Sequence, residues 1–586
     1  MKHPKVLLPV LAGGLALVLA ACGGPVTSQP PTAGESTPPA TDSPSASPTE
    51  PADSGWDINE TPRDQLVQGG EFIGSIGYPI GTWNIFSLAG NDAELNQLLA
   101  PVSPAYFDYD GFGKPVINTD YVESVLDEVV DGKLKLTMKL NPKAVWNDGE
   151  VIGLDDWVAT WKANNGEDDD FVVASSDGWS EIESIEAGAG ENEVVVTFKS
   201  TYPDWTAIIS GGPQRAEGVK DADTYNDGWA EYKDEYFTGP FQVTSWDKTS
   251  GTVVMEPNAK WWGDKPLLDK LTWKLIADDA KSKAFANQEL DYYDIGPNAS
   301  GYAEATGAQN SVVRKSNGPD FRHFTLNAKA PFLDDVNVRQ AILMGLDRQT
   351  IGASDLAGLP EEMIKKLDNN LYVHGLPDYV DQAAATGLDY NPEGAKQKLE
   401  GAGWALNAAG FYEKDGKQLD IEFATLGGVA TSENEYLLAH DQLKEVGINL
   451  TQRVVDIQKD WPGVLTERKF AVIAFSWIGT PYPLNNIGQI YGFSKNKKGE
   501  EVPNDSNYAN LKIDKVQELK PLIDVEMDVA KRTELGNQAA QAIWEAVHTI
   551  PLYQRPRLVG VRDTLANIGA MGMARVPVWE NVGYTK

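Results

Sequence analysis

Pro257-Asn258-Ala259-Lys260-Trp261-Trp262-Gly263 separates two runs that read as strands, Thr252 to Glu256 and Leu271 to Ile276. Upstream, Tyr236-Phe237-Thr238-Gly239-Pro240-Phe241 leads into a further strand from Gln242 to Trp246. Downstream, a helix-like stretch from Ala280 to Gln288 gives way to Glu289-Leu290-Asp291-Tyr292-Tyr293-Asp294-Ile295. Pro and Gly, which fix or free the backbone, punctuate the runs.

On the C-terminal side, Phe324-Thr325-Leu326-Asn327 and Ala330-Pro331-Phe332 precede a helix capped by Asp334 or Asp335, with Val338, Ala341, Ile342, Gly345 and Leu346 on its buried face. Asn391-Pro392-Glu393 caps another helix. Ser432-Glu433-Asn434-Glu435 has the spacing of a capping box, opening a helix that buries Leu437, Leu438, Leu443 and Val446 ahead of a strand from Ile448 to Val455. The apolar run Ala471 to Phe475 ends in Trp477-Ile478-Gly479-Thr480-Pro481-Tyr482-Pro483. On residue pattern alone that loop is either a ligand wall or a buried Trp and Tyr closing a sheet edge. Leu535, Ala539, Ile543 and Val547 mark a last helix before Ile550-Pro551-Leu552-Tyr553.

On the N-terminal side, Gly69 to Ile80 reads as a first strand, followed by the loop Gly81-Thr82-Trp83-Asn84. Leu134 to Leu140 alternates as a half-buried strand does, and Asp155 and Asp156 favour the start of a helix carrying Trp157, Val158 and Trp161. Of the Trp residues, Trp146, Trp157, Trp161, Trp261 and Trp262 read as core. Trp83 and Trp477 differ, because both follow predicted strands directly.

At 586 residues with 41% hydrophobic side chains, the chain can form several cores. Fifty Lys and Arg against 85 Asp and Glu give a formal charge of -35, which disfavours nucleic acid and anionic membrane surfaces as partners. The histidines, His3, His323, His374, His440 and His548, lie far apart, and Cys22 is the single cysteine, so neither a metal site nor a disulfide is expected. No nucleophile elbow, phosphate loop or dinucleotide fingerprint is present, and no catalytic residue or cofactor is assigned. Met1 to Ala21 has the charged start and short apolar run of a secretory signal. Leu19-Ala20-Ala21-Cys22-Gly23 looks like a lipobox, in which Cys22 takes the lipid. From Gly24 to Gly55 the chain is rich in Pro, Ser, Thr and Ala, a composition that cannot offset the entropy of ordering.

Taken together, the Thr238-Gly239-Pro240-Phe241, Trp261-Trp262-Gly263, Glu289 to Ile295, Phe324 to Phe332 and Val336 to Arg348 segments follow one another as they do in the family 5 extracellular solute-binding proteins, which this chain resembles from about Gly69 to Val576. The resemblance implies an α/β, periplasmic-binding-protein-like fold of the large cluster C type, with two α/β lobes, a hinge near Phe324 and Tyr553, and an inserted subdomain. It implies a signal peptide at 1–21, a lipidated tether at 22–67, lobe I at 68–99, 239–324 and 555–586, its insertion at 100–238, and lobe II at 325–554. The implied function is that of a monomeric receptor, lipid-anchored to the outer face of the cytoplasmic membrane, passing oligopeptides to an ABC permease without bond chemistry. The ligand residues implied are Trp83, Asn84, Trp477, Ile478, Gly479, Thr480 and Tyr482. In peptide-binding members the matching loop carries an Asp for the ligand's ammonium; here Thr480 stands in that place. That departure keeps open a neutral, modified or glycan-like ligand. A secreted glycosidase and a non-transport envelope regulator are the readings from other classes.

Overall fold

The computed structural model describes residues 54–586 apart from 457–458, 497, 505 and 575. The signal segment, Cys22 and the tether as far as residue 53 lie outside the described residues.

The stretch around Trp261-Trp262 joins two strands of a four-stranded sheet. Its order is Phe241–Asp247, Thr252–Pro257, Lys270–Leu275 and Glu71–Ile76, antiparallel except for the last, parallel pair. Alternation in Glu71–Ile76 buries Phe72, whose ring meets Trp273 and Trp579 edge-on at 5.5 and 5.2 Å. A second sheet, Val122–Val130, Lys133–Leu140, Glu193–Phe198 and Ile182–Ala187, is antiparallel throughout. Lys133–Leu140 sends Leu134, Leu136, Met138 and Leu140 into a core shared with Trp157 of the helix Leu154–Asn164. Asp156 in that helix's first turn is buried rather than solvated. Its carboxylate accepts the Trp146 indole N–H at 2.9 Å and the Gly153 and Ala216 amides at 3.2 and 2.8 Å.

The third sheet has six strands, in the order Tyr292–Asp294, Thr549–Arg562, Ser311–Leu326, Val472–Trp477, Asp420–Leu426 and Asn449–Val455. Its two long antiparallel strands, Ser311–Leu326 and Thr549–Arg562, run from one hydrophobic core into the next. Val559 and Val561 pack with Phe72 and Trp273, whereas Ile550 and Leu552 pack with Phe324 and Leu326. Their ladder shifts register between Asn317 and Phe321, where Gly318 and Pro319 interrupt one strand opposite Pro556 of the other. Phe324 and Tyr553, the expected hinge positions, instead lie buried in paired strand beyond that interruption.

The helix Val336–Gly345 starts as expected, with Asp335 accepting the Asn337 amide at 2.9 Å, and buries all of the anticipated face. A cap of this kind contributes ~1 kcal/mol. The expected capping box does not form. The helix Ala430–Glu445 begins earlier, Ser432 accepts the Leu426 amide at 3.0 Å, and Glu435, fully buried, pairs with Arg322 through bonds of 2.6 and 2.7 Å. Leu437 accordingly faces solvent. Residues 54–67, expected as the end of the tether, are folded. Asp57–Ile58 pairs with Gly569–Ala570 and Leu66–Val67 with the last strand, Gly583–Thr585.

Candidate ligand cavity

A cavity of about 980 Å³ opens where the first two sheets, both ends of the folded chain and the loop after Val472–Trp477 converge. Many aromatic side chains line it, and they include Trp146 and Trp261, expected as core alone. Trp83 borders it from a nearly sealed position, edge-on to Tyr232 at 5.0 Å and Trp246 at 5.2 Å. Asn84 borders neither this cavity nor the smaller one beside Trp477. Its amide donates to the Tyr225 carbonyl at 3.0 Å and its oxygen accepts from Gln214 at 2.9 Å, so it holds Gln214, which does line the cavity.

The Trp477 to Pro483 loop divides between two spaces. Thr480, Pro481 and Tyr482 border the large cavity; Trp477, Ile478, Gly479 and Thr480 border a second of about 40 Å³ beside Phe321 and Asn370. Trp477 is stacked between His323 and Tyr508, at 5.6 and 5.8 Å with both pairs of planes within 5° of parallel. Gly479 is required sterically, since a Cβ there would lie 2.3 Å from the Pro319 carbonyl oxygen, and its amide donates to Asp320 at 3.0 Å. The Thr480 hydroxyl is used within its own loop, accepting the Tyr482 amide at 3.2 Å.

Tyr482 links the loop to the opposite wall. Its hydroxyl meets that of Tyr109 at 2.9 Å and donates to Thr206 Oγ1 at 2.9 Å. Burial, then the neighbouring Tyr109, raises its pKa beyond the ordinary phenol range, so it acts as a neutral hydrogen-bonding group. Tyr109 ends the strand Phe107–Tyr109, whose turn through Gly113, at φ +80°, touches Pro481. Nearby, Arg532 of the helix Val529–Ala546 grips Asp204 through two bonds of 2.8 and 2.6 Å, and the Thr201 hydroxyl donates to the Val525 carbonyl at 2.6 Å.

Among the described residues, the charged side chains bordering the cavity are Glu60, Arg63, Asp108 and Glu580. Arg63 is occupied: it donates to the Glu580 carbonyl, to Asn581 at 2.9 Å and to the Lys265 carbonyl at 2.7 Å, with Asp264 at 3.7 Å. Burial pushes Glu580 up to about 7, with the Asp108 and Asp120 charges adding, and pushes Asp108 up to about 6, with Asp120 adding. Trp56, Trp579, Asp108 and Glu580 escaped sequence reasoning. Trp56 sits at the edge of the Pro-rich tether, and isolated acids carry no motif. Among the described residues no group of three or more His, Cys, Asp or Glu could hold a metal ion, and no helix is long and apolar enough to cross a membrane.

Comparison with known proteins adds the following. The family described as bacterial extracellular solute-binding proteins, family 5 Middle, matches residues 116–499. Oligopeptide-binding protein OppA of Mycobacterium tuberculosis is 30% identical over 521 residues, 88% of this chain and 85% of its own. Among solved structures, the periplasmic EDTA-binding protein EppA has a TM-score of 0.80 at 21% identity, covering 92% of this chain and 100% of its own. The oligopeptide-binding protein AppA of Bacillus subtilis, in complex with a nonapeptide, has a TM-score of 0.68 at 20% identity, covering 89% of this chain and 100% of its own.

Proposed function

Since the chain belongs to the bacterial extracellular solute-binding proteins of family 5, we propose that it is the receptor of an ABC importer, taking an oligopeptide into the aromatic cavity and handing it to a permease. The observation that carries this reading is the cavity itself. Its volume, about 980 Å³, lies at the upper end of the range for small-ligand pockets, and the Tyr482 loop faces the Tyr109 strand across it. The oligopeptide-binding name of OppA and the nonapeptide held by AppA favour a peptide as cargo.

In this reading lobe I comprises 68–99, 239–324 and 555–586 with the insertion 100–238, and residues 54–67 join it through their pairing with the C-terminal strands. Lobe II is 325–554. The lobes bend at the interrupted ladder around Gly318, Pro319 and Pro556. Ligand touching both lobes favours the closed arrangement, which is what a permease would recognise. Trp83, Thr480 and Tyr482 contact cargo, Trp477, Ile478 and Gly479 shape the loop, and Asn84 supports the wall. The family is one of solute-binding proteins, not enzymes, and its location is extracytoplasmic; lipid anchoring through Cys22 and a monomeric state complete the proposal.

A second reading, a non-peptide solute, is favoured by Thr480, whose hydroxyl cannot neutralise an ammonium. Native mass spectrometry of the freshly purified protein, followed by calorimetry with peptide and glycan pools, separates the two. Absence of binding from every pool would refute the receptor reading.

A further inference from the structure

We propose that Glu580 and Asp108 form the acceptor for a protonated amine, so that a peptide cargo is held by its N-terminal ammonium at the wall opposite the Thr480 loop. This rests on the receptor reading above. Glu580 retains 9% of its surface exposed, borders the cavity, and takes no hydrogen bond or ion pair on its carboxylate from another described residue. Asp108 borders the same space from the strand Phe107–Tyr109 and is likewise without an ion-pair partner among the described residues. The charge of Asp108 is felt at Glu580, and that of Asp120 at both acids.

A buried carboxylate without a counter-charge is costly, and among the described residues no cation pairs with either acid, Arg63 acting on Glu580 only without an ion pair. Arg63, the cation bordering the cavity among the described residues, has its donors committed to carbonyls and Asn581 and faces Asp264. The missing charge is therefore expected from the cargo. A metal ion is a poor candidate, because no described cluster offers three His, Cys, Asp or Glu ligands. An organic ammonium fits better: carboxylates accept its N–H donors, and the aromatic side chains Trp56, Tyr121 and Trp579 line the same cavity. Asp320, beside the loop where a peptide receptor of this family would carry its acid, already accepts the Gly479 amide.

The test uses the full-length protein and pools of random peptides without Lys or Arg, prepared with free and with N-acetylated termini, titrated calorimetrically. The expected result is that acetylation weakens binding about tenfold to a hundredfold, the range for a charge-assisted hydrogen bond. Glu580→Gln is expected to lose most of that discrimination and Asp108→Asn part of it, with thermal unfolding of each variant showing that the fold persists. Equal binding of both pools, or undiminished discrimination in folded Glu580→Gln and Asp108→Asn, overturns the proposal and leaves the receptor reading standing. Failure of both pools to bind overturns both.

Discussion

Replacing Arg532 by Ala tests whether the Asp204 clamp belongs to a closed state. The pair bridges the loop before Trp205–Ile209 and the helix Val529–Ala546, with two parallel bonds and side-chain exposures of 16% and 9%. Two unit charges about 4 Å apart at an effective dielectric of about 20 attract by ~4 kcal/mol, part of which desolvation cancels. Breaking a fully buried pair costs ~3–5 kcal/mol, and the residual exposure of Arg532 brings the expectation here to ~2–3 kcal/mol. If the pair forms only on closure, that energy is withdrawn from the closed state, and the apparent Kd for peptide rises about 30-fold to 150-fold. Calorimetry with the peptide pools reads the affinity, and small-angle scattering of the saturated protein reads the dimensions. A cycle with Asp204→Ala isolates the pair itself, with an expected coupling of ~2 kcal/mol. The reasoning fails if Arg532→Ala lowers the melting temperature but leaves affinity unchanged, for the clamp would then persist in both states. It fails equally if the two substitutions are additive within about 0.5 kcal/mol.

Tyr482→Phe removes the hydroxyl shared by Tyr109 and Thr206; at ~1 kcal/mol per neutral hydrogen bond, peptide affinity is expected to drop about tenfold or more in the same titration. Trp477→Ala dismantles the His323–Trp477–Tyr508 stack and should lower unfolding free energy by ~3–5 kcal/mol in urea, with a smaller effect on affinity; a well-folded variant that loses binding outright would show Trp477 to be a direct contact. Affinity for amine cargo is expected to fall as pH drops below about 7 and more steeply below about 6, because Glu580 and Asp108 must ionise to hold an ammonium. The unliganded protein should show the opposite trend from these two acids. Their folded pKa values exceed the unfolded ones, so the folded state binds more protons between about pH 4 and 7 and stability declines as pH rises through that window. The charged groups acting on this pair are Arg63 and Asp120, with Lys143 and Asp264 acting on Asp120 in turn; Glu580→Gln should flatten the slope in thermal melts across that range.

Features governed by neighbours in sequence were legible. The Asp335 cap and the alternation of Lys133–Leu140 depend on a few adjacent residues, and both stand as read. Ser432 to Glu435 had the right local spacing for a capping box, but tertiary partners competed for both side chains, and the buried Arg322 pair and the Leu426 amide won. The same distinction applies to the cavity. Trp83 and Trp477 stand out as aromatics just beyond strands, and Tyr482 comes with the same loop, whereas Asp108 and Glu580 acquire meaning only when the two ends of the chain meet. Asn84 looked like its neighbour Trp83 in sequence, yet its amide is consumed by Tyr225 and Gln214.

The pairing of residues 57–58 and 66–67 with strands near residues 570 and 584 also bears on the order in which the molecule is made. Arg63 meets Glu580 across 517 positions of sequence, a closure whose entropy must be met before its contacts give anything back. Synthesis is vectorial, so the wall carrying Trp579 and Glu580 is made after the other walls of the cavity. A chain stopped just after the strand Thr549–Arg562 would keep the six-stranded sheet and lack that wall. Receptor competence therefore reports that translation has passed Glu580.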